Sequence, residues 1–419
     1  MSLAKLTHDI PRRHAHNLRT VRRQPWAELS GALGDLGTLL PLMISLAQHD
    51  SISLSSTLVF SGLFNILTGA VFGIPLPVQP MKAIAAEAIS RGYERGMVTA
   101  AGGWVSLAVL VLAATGGLRW MGGVVPTPVV RGIQIGAGLQ LVGYSSGVVG
   151  GGREEWEMWV FAGLGVVLVA VFVLGTTRRR GGGGGKAVPF ALVMFIGGVV
   201  WAMTHVKKED RPGWAPWTPG VQIPAWLGVE GRSYTGLEVL GMAVGQLPLT
   251  TLNSVVAVSA LAGDLVPEMK VTVTGLGFSV AGMNLVGCWF GAMPMCHGAG
   301  GLAAQWRFGA RSGASVICLG VLKLGLGLVF GDSLVSVIDK FPGAVLGVMV
   351  LGAGLELTRV ARVLDEQERA ERWMVMLVTM AGIVAFRNDA MGFAGGMVCH
   401  WFYRLAAWWE GRRQGEVHL

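Results

Sequence analysis

A small set of residues in this chain could do chemistry in an apolar setting. Lys82 and Glu87 stand in PVQPMKAIAAEA (77–88), and Asp35 stands in GDLGTLLP (34–41). Gln246, Thr250, Thr251, Asn253 and Ser254 fall in QLPLTTLNS (246–254), while Cys296, His297 and Gly298 fall in PMCHGAGGLAAQ (294–305). Two of these stretches open on proline, which favours an extended chain before it and a helix after it. Each half-helix would present unpaired N–H groups and the positive end of its dipole. Glycines 298, 300 and 301 would let a ligand approach the backbone. Two such ends facing each other form a site for an anion, and a lysine beside them adds the charge such an ion requires.

Each candidate has a plainer alternative. Lys82 could pair with Asp35 as a structural ion pair. Asp35 and Glu87, as intramembrane carboxylates, could carry a proton, and Glu87 could equally face an outer vestibule. The polar residues of QLPLTTLNS suit an oxyanion's first shell and helix–helix hydrogen bonds equally well. His297 could titrate near neutral pH or serve only as an orienting donor. A Cys296–His297 metal pair lacks further ligands, so no metal and no cofactor is expected. The absence of a nucleophile–base pair or an HExxH spacing points away from an enzyme.

The elements that would position these residues are membrane spans. The chain of 419 residues is 52% hydrophobic and only 14% charged, with mean hydropathy +0.56, against about 25% charged in a soluble domain. Apolar runs begin near residues 30, 54, 77, 98, 126, 157, 188, 236, 271, 294, 312, 333, 371 and 390, giving about fourteen segments, the third and tenth short and proline-interrupted. This reading divides the chain into a basic tail (1–27), a first repeat with spans 1–6 (28–177) and a glycine-rich linker (178–187). Span 7 (188–206), an outer connection (207–234), a second repeat with spans 8–14 (235–408) and a tail (409–419) follow. The basic residues of 1–27 (Lys5, Arg12, Arg13, Arg19, Arg22, Arg23), of RRRGGGGGK and of the C-terminus place both termini in the cytoplasm. The net charge of +8 is loop arginine by this account, not a nucleic-acid footprint. The N-terminus lacks an apolar core and reads as a solvated tail, not a secretory signal. RRRGGGGGK is no phosphate loop: Arg180 stands where GxxxxGK needs glycine, and Ala187 follows Lys186. The four cysteines form no CxxC pair.

The halves repeat. PTPVVRGIQIGAGLQL (126–141) matches PGAVLGVMVLGAGLEL (342–357) at seven of sixteen positions, offset by 216. Pro77 meets Pro294 at offset 217, and GDLGTLLP faces GQLPLTTL (245–252). Seven spans per half is odd, so the second half must be inverted: an all-α, 7+7 inverted-repeat architecture with half-helices 3 and 10 meeting at the midplane.

In GDLGTLLP, PVQPMKAIA (77–85), QLPLTTLNSVVAV (246–258) and MPMCHGAGGLAAQWRFGARSGAS (293–315) the chain resembles the molybdate transporter family, a branch of the sulfate permease superfamily. The resemblance implies a carrier of a tetrahedral dianion, with a core of spans 1–4 and 8–11 and a gate of spans 5–7 and 12–14. The soluble C-terminal domain usual in sulfate permeases is expected to be absent, since few residues follow Trp408, and a homodimer is left open. Backbone N–H groups near Met81–Lys82 and Cys296–His297–Gly298 would bind the oxyanion, Lys82 would supply charge, and Gln79, Gln246, Thr250 and Asn253 directed hydrogen bonds. Asp35 and Glu87 are the candidates for proton coupling. Molybdate, tungstate and sulfate are the candidate substrates, in a plasma or vacuolar membrane; a sulfate carrier and an anion channel are the alternatives.

Overall fold

A computed structural model describes residues 3–33, 36–150, 158–168, 170, 190–221, 236–360 and 369–416. Asp35 and the linker 178–187 lie outside the described residues.

Twenty-one-residue α1 (Leu3–Arg23) precedes α2 (Pro25–Ala32), α3 (Leu36–Gln48) and α4 (Leu54–Phe72). Strand β1 (Val78–Pro80) leads into α5 (Lys82–Arg91), then α6 (Arg95–Thr115), α7 (Gly117–Val124), α8 (Thr127–Gly150) and α9 (Met158–Leu168). The rest is α10 (Phe190–His205), α11 (Gly236–Pro248), α12 (Ala257–Leu265), α13 (Val273–Gly287), β2 (Met295–His297), α14 (Ala299–Arg307), α15 (Ala314–Phe330), α16 (Val335–Asp339), α17 (Gly343–Val360), α18 (Arg369–Phe386) and α19 (Asp389–Glu416). Among the described residues five continuous helical stretches are long and apolar enough to cross a bilayer alone. Other apolar helices are shorter, among them Leu39–Gln48 and Val193–His205. Large apolar side chains are exposed along the outer faces, including Val111, Val321, Leu322, Trp401 and Phe402. That is the surface of a protein whose solvent is lipid, where helix association depends on close packing instead of the hydrophobic effect.

Glycine sets that packing. In one group α4 lies along α15, and α6 along α13 and α11. In the other, α8 packs on α17 and α18, and α18 on α19. The repeated Gly-Ala-Gly segments meet each other: a Cβ on Gly138 would stand 2.7 Å from the Gly354 carbonyl, and one on Gly354 2.6 Å from the Gly138 carbonyl. The two halves thus pack against each other through the segment they share in sequence.

The basic N-terminal stretch is not a loose solvated tail. It forms α1, whose buried face is fastened to the ends of other helices. Asn17 donates to the Gly69 carbonyl at 2.9 Å and accepts from the Gly313 N–H at 2.9 Å. Arg13, also buried, donates to the carbonyls of Val71 and Lys270. These carbonyls close α4 and precede α13, so α1 satisfies orphaned helix-end groups that water or lipid would otherwise have to meet. Glu28 of α2 does the same at the start of α15, accepting from Arg311 N–H (2.8 Å) and Ser315 N–H (3.1 Å).

Candidate functional site

The two proline-led stretches meet inside the protein. β1 and β2 pair antiparallel, with Val78 opposite His297, Gln79 opposite Cys296 and Pro80 opposite Met295. Helices α5 and α14 then start from this two-stranded bridge. All six strand residues are buried, so the backbone groups that prolines leave unpaired must be met locally. A matched pair of asparagines does this. Asn65 of α4 accepts the Val78 N–H at 2.8 Å. Asn284 of α13 accepts the Met295 N–H at 2.6 Å and donates to the Met295 carbonyl at 2.6 Å. Both are fully buried, and both helices end near left-handed glycines, Gly73 (φ 69°) and Gly291 (φ 73°). Replacing Asn284 with alanine leaves a buried N–H and carbonyl unmet and should cost about 2–4 kcal/mol, measurable by thermal unfolding in detergent. Equal melting temperatures for Asn284→Ala and wild type would show that Asn284 does not hold β2 in place.

Opposite the bridge runs the QLPLTTLNS stretch. Pro248 cannot donate a helix hydrogen bond, and from Leu249 to Val256 the chain widens into a π-helix between α11 and α12. Such bulges recur at functional sites. A small cavity of about 20 Å³, measured as the space open to the centre of a water molecule, lies between this widened turn and the bridge. Its wall is Gln79, Lys82, Gln134, Gln246, Leu249, Asn253, Ser254, Cys296, His297 and Gly298.

Of the expected substrate residues, Gln79, Lys82, Gln246, Asn253, Cys296, His297 and Gly298 thus line one cavity. Met81 and Thr250 stand behind the wall. Met81 donates its N–H to the Pro294 carbonyl at 2.8 Å, which occupies the amide expected to face an anion. Thr250 accepts from Gln246 Nε2 at 3.0 Å. The first-turn amides of α5 are also partly taken: Gln246 Oε1 accepts Ala83 N–H at 2.9 Å and Ile84 N–H at 3.4 Å. Gln246 is therefore the cap of the α5 half-helix as well as part of the cavity wall. Glycines 298 and 301 have a different immediate neighbour from the ligand expected of them. A Cβ on Gly298 would lie 2.5 Å from Gln79 Oε1, and one on Gly301 would collide with Gln79 Nε2. They make room for the Gln79 amide across the start of α14.

His297 is fully buried with both ring nitrogens engaged. Nδ1 lies 3.3 Å from the Pro77 carbonyl and Nε2 3.0 Å from Ser279 Oγ. A carbonyl can only accept, which assigns the ring proton to Nδ1 and makes Ser279 the donor to Nε2. The ring ties β2 to the chain before β1. Lys82 is half-buried at the first turn of α5, and among the described residues no carboxylate lies within ion-pair distance of it. Glu87 is buried at the far end of α5, away from the cavity wall. Gln134 and Leu249 were not singled out from sequence. Gln134 comes from α8, where Arg131 donates to its Oε1 at 3.3 Å; it sits two residues before the repeated Gly-Ala-Gly, masked in sequence by its apolar neighbours.

Solved structures share this fold. The transmembrane domain of a cyanobacterial bicarbonate transporter, BicA, is similar with a TM-score of 0.61 at 15% identity, over 89% of this chain and 98% of that one. Murine SLC26A9, an anion transporter, is similar with a TM-score of 0.61 at 15% identity, over 91% of this chain and 68% of that one. Fold and composition define an integral membrane protein of the 7+7 inverted-repeat transporter class. A family model described as "Molybdate transporter of MFS superfamily" matches residues 27–141 and 238–357. Molybdate transporter 2 of Arabidopsis thaliana is 36% identical over 90% of this chain and 87% of its own length. Molybdate transporter 1 of the same plant is 38% identical over 93% and 92%, and that of Chlamydomonas reinhardtii is 33% identical over 89% and 90%. The chain belongs to the molybdate transporter family and is an anion transporter, not an enzyme. The MFS superfamily of that family's description does not match the fold, since MFS transporters join two six-span halves in parallel.

Proposed function

We propose that this protein is a secondary active transporter of molybdate, bound as a tetrahedral dianion in the cavity between α5, α14 and the π-turn. The observation that carries this reading is the wall itself: one lysine, two half-helix starts and several neutral donors converge on one small space. Backbone dipoles and Lys82 supply positive potential, while Gln79, Gln134, Asn253 and Ser254 supply directed hydrogen bonds. Met81, Thr250 and Cys296 hold these groups in place. In this reading spans 1–4 and 8–11 form a core that carries the ion past a gate of spans 5–7 and 12–14, by alternating access. The basic tails lie on the cytoplasmic side.

A dianion entering against an inside-negative potential of ~100 mV is opposed by roughly 5 kcal/mol, at ~2.3 kcal/mol per charge. Proton coupling would offset that cost, with Asp35 as the carrier proposed for it. The test is uptake of labelled molybdate by the purified full chain in liposomes, at several imposed pH gradients and with sulfate as competitor. Saturable uptake, stimulated by counter-flow and faster with an inward proton gradient, is expected. Unsaturable flux would make the protein a channel, and equal rates at every gradient would remove the coupling. Displacement by equimolar sulfate would make it a general oxyanion carrier.

A further inference from the structure

At the far end of α5 from the cavity a second cluster ties the two helix groups together. Glu87 is fully buried. Its Oε2 accepts the Asp389 N–H at 3.3 Å, so Glu87 caps the first turn of α19 from another helix. Its Oε1 accepts Asn388 Nδ2 at 3.3 Å and lies 3.8 Å from Arg91 Nε. Arg91 in turn donates to the carbonyls of Phe386 (2.6 Å) and Arg387 (2.8 Å), where α18 ends. The contact is tight, because a Cβ on Gly245 of α11 would collide with Asp389 Cβ. Arg387 itself sits in a left-handed turn, φ 49°.

Asp389 is 0% exposed, and among the described residues neither of its carboxylate oxygens has a hydrogen-bond partner. The charged and titratable groups around the Glu87–Asp389 pair are Arg91, which faces both, Tyr93 and Glu238 on the Glu87 side, and Arg387 of the turn two residues before Asp389. With all of them ionised and tyrosine neutral, three carboxylates face two guanidiniums, and Arg387 is exposed to solvent. Inside the contact, two fully buried carboxylates share one Arg91. A single proton on the pair would remove the unbalanced charge and give Asp389 or Glu87 a donor hydrogen.

We propose that Glu87 and Asp389 form a proton-binding site that latches α5 to the α18–α19 turn. One proton enters when the contact closes and leaves when it opens and water reaches both carboxylates. This rests on the alternating-access reading, because only then do α5 and α19 separate. It gives Glu87 a different task from carrying a proton through the protein. The proton is taken up and returned at the same end, so acidity on that side holds this end shut.

The test is hydrogen exchange of the full chain in lipid nanodiscs, following backbone amides of 86–95 and 386–392 between pH 5.5 and 8. After correction for intrinsic rates, wild type should exchange more slowly as pH falls, by up to about tenfold per pH unit, the limit for one linked proton. Asp389→Asn leaves one carboxylate for Arg91 and should show the slow rate at every pH. Glu87→Gln keeps a carbonyl oxygen for the Asp389 N–H and should do the same, which covers the case in which Asp389→Asn fails to fold. Corrected rates that are flat in wild type, or equally pH-dependent in both variants, would overturn the latch. Molybdate binding to the same nanodiscs separates the two ideas. A pH-dependent contact without molybdate binding would sink molybdate as the substrate and leave both the proton site and the alternating-access reading it rests on standing.

Discussion

Lys82→Met should weaken molybdate binding by roughly thirtyfold while leaving the unliganded protein as stable as before. A hydrogen bond to a charged partner contributes about 1.5–3 kcal/mol, and every 1.4 kcal/mol is a factor of ten in Kd. Lys82 is the one cationic side chain in the cavity wall among the described residues, so no neighbour can replace its charge. Methionine matches the length of the stem and should keep the packing at the start of α5. The second half of the expectation matters equally. Among the described residues Lys82 makes no ion pair that its removal would break, so the substitution should not lower the melting temperature. If it does, and affinity is unchanged, Lys82 is the structural partner of Asp35 and not a substrate ligand. Lys82→Arg, measured alongside, should keep most of the affinity, because charge outweighs shape for an ion that presents oxygen on every side.

The half-helices could be read from sequence because prolines act locally. Pro77 and Pro294 recur at a fixed offset, and β1–α5 and β2–α14 follow where the pattern places them. Lys82, Gln246 and Cys296 likewise reach one cavity. What could not be read depends on contacts between distant segments. The π-turn at Leu249–Val256 has a local cause in Pro248, but an apolar run with a proline also fits an ordinary kink. Asn65 and Asn284 are related by an offset of 219, close to the 217 of the prolines; an intramembrane asparagine repeated in this way was a signal available to use. Gln79 was expected to face a ligand across open glycines, yet its own amide fills that space, since only the folded structure shows which side chain arrives first. Asp389 reads as a loop acid in FRNDAM. Its burial comes from α5 and α11 closing over it, and neither is its neighbour in sequence.

Gln246→Glu should abolish molybdate binding while making the empty protein more stable. The substitution changes one atom type and keeps the side-chain shape, so the α5 cap survives: an oxygen still accepts the Ala83 N–H now held at 2.9 Å. That cap becomes charge-assisted, and a carboxylate at a helix start is further favoured by the dipole. The bond from Nε2 to Thr250 is not lost either, because the threonine hydroxyl can reverse and donate to the new carboxylate. The empty site also gains an anion opposite Lys82. For a dianion the same change is repulsive: a unit charge ~6 Å away at an effective dielectric constant of ~20 costs about 5 kcal/mol, over a thousandfold in affinity. Stability and affinity should therefore move in opposite directions, which loss of folding cannot imitate. Gln246→Ala separates charge from capping. It leaves the buried first-turn amides of α5 unmet, at about 1–3 kcal/mol each, and should lower the melting temperature while binding falls far less than in Gln246→Glu. Equal binding by Gln246→Glu and wild type would place the anion somewhere other than the α5 half-helix. A variant that binds weakly but also melts early would make Gln246 a structural cap alone.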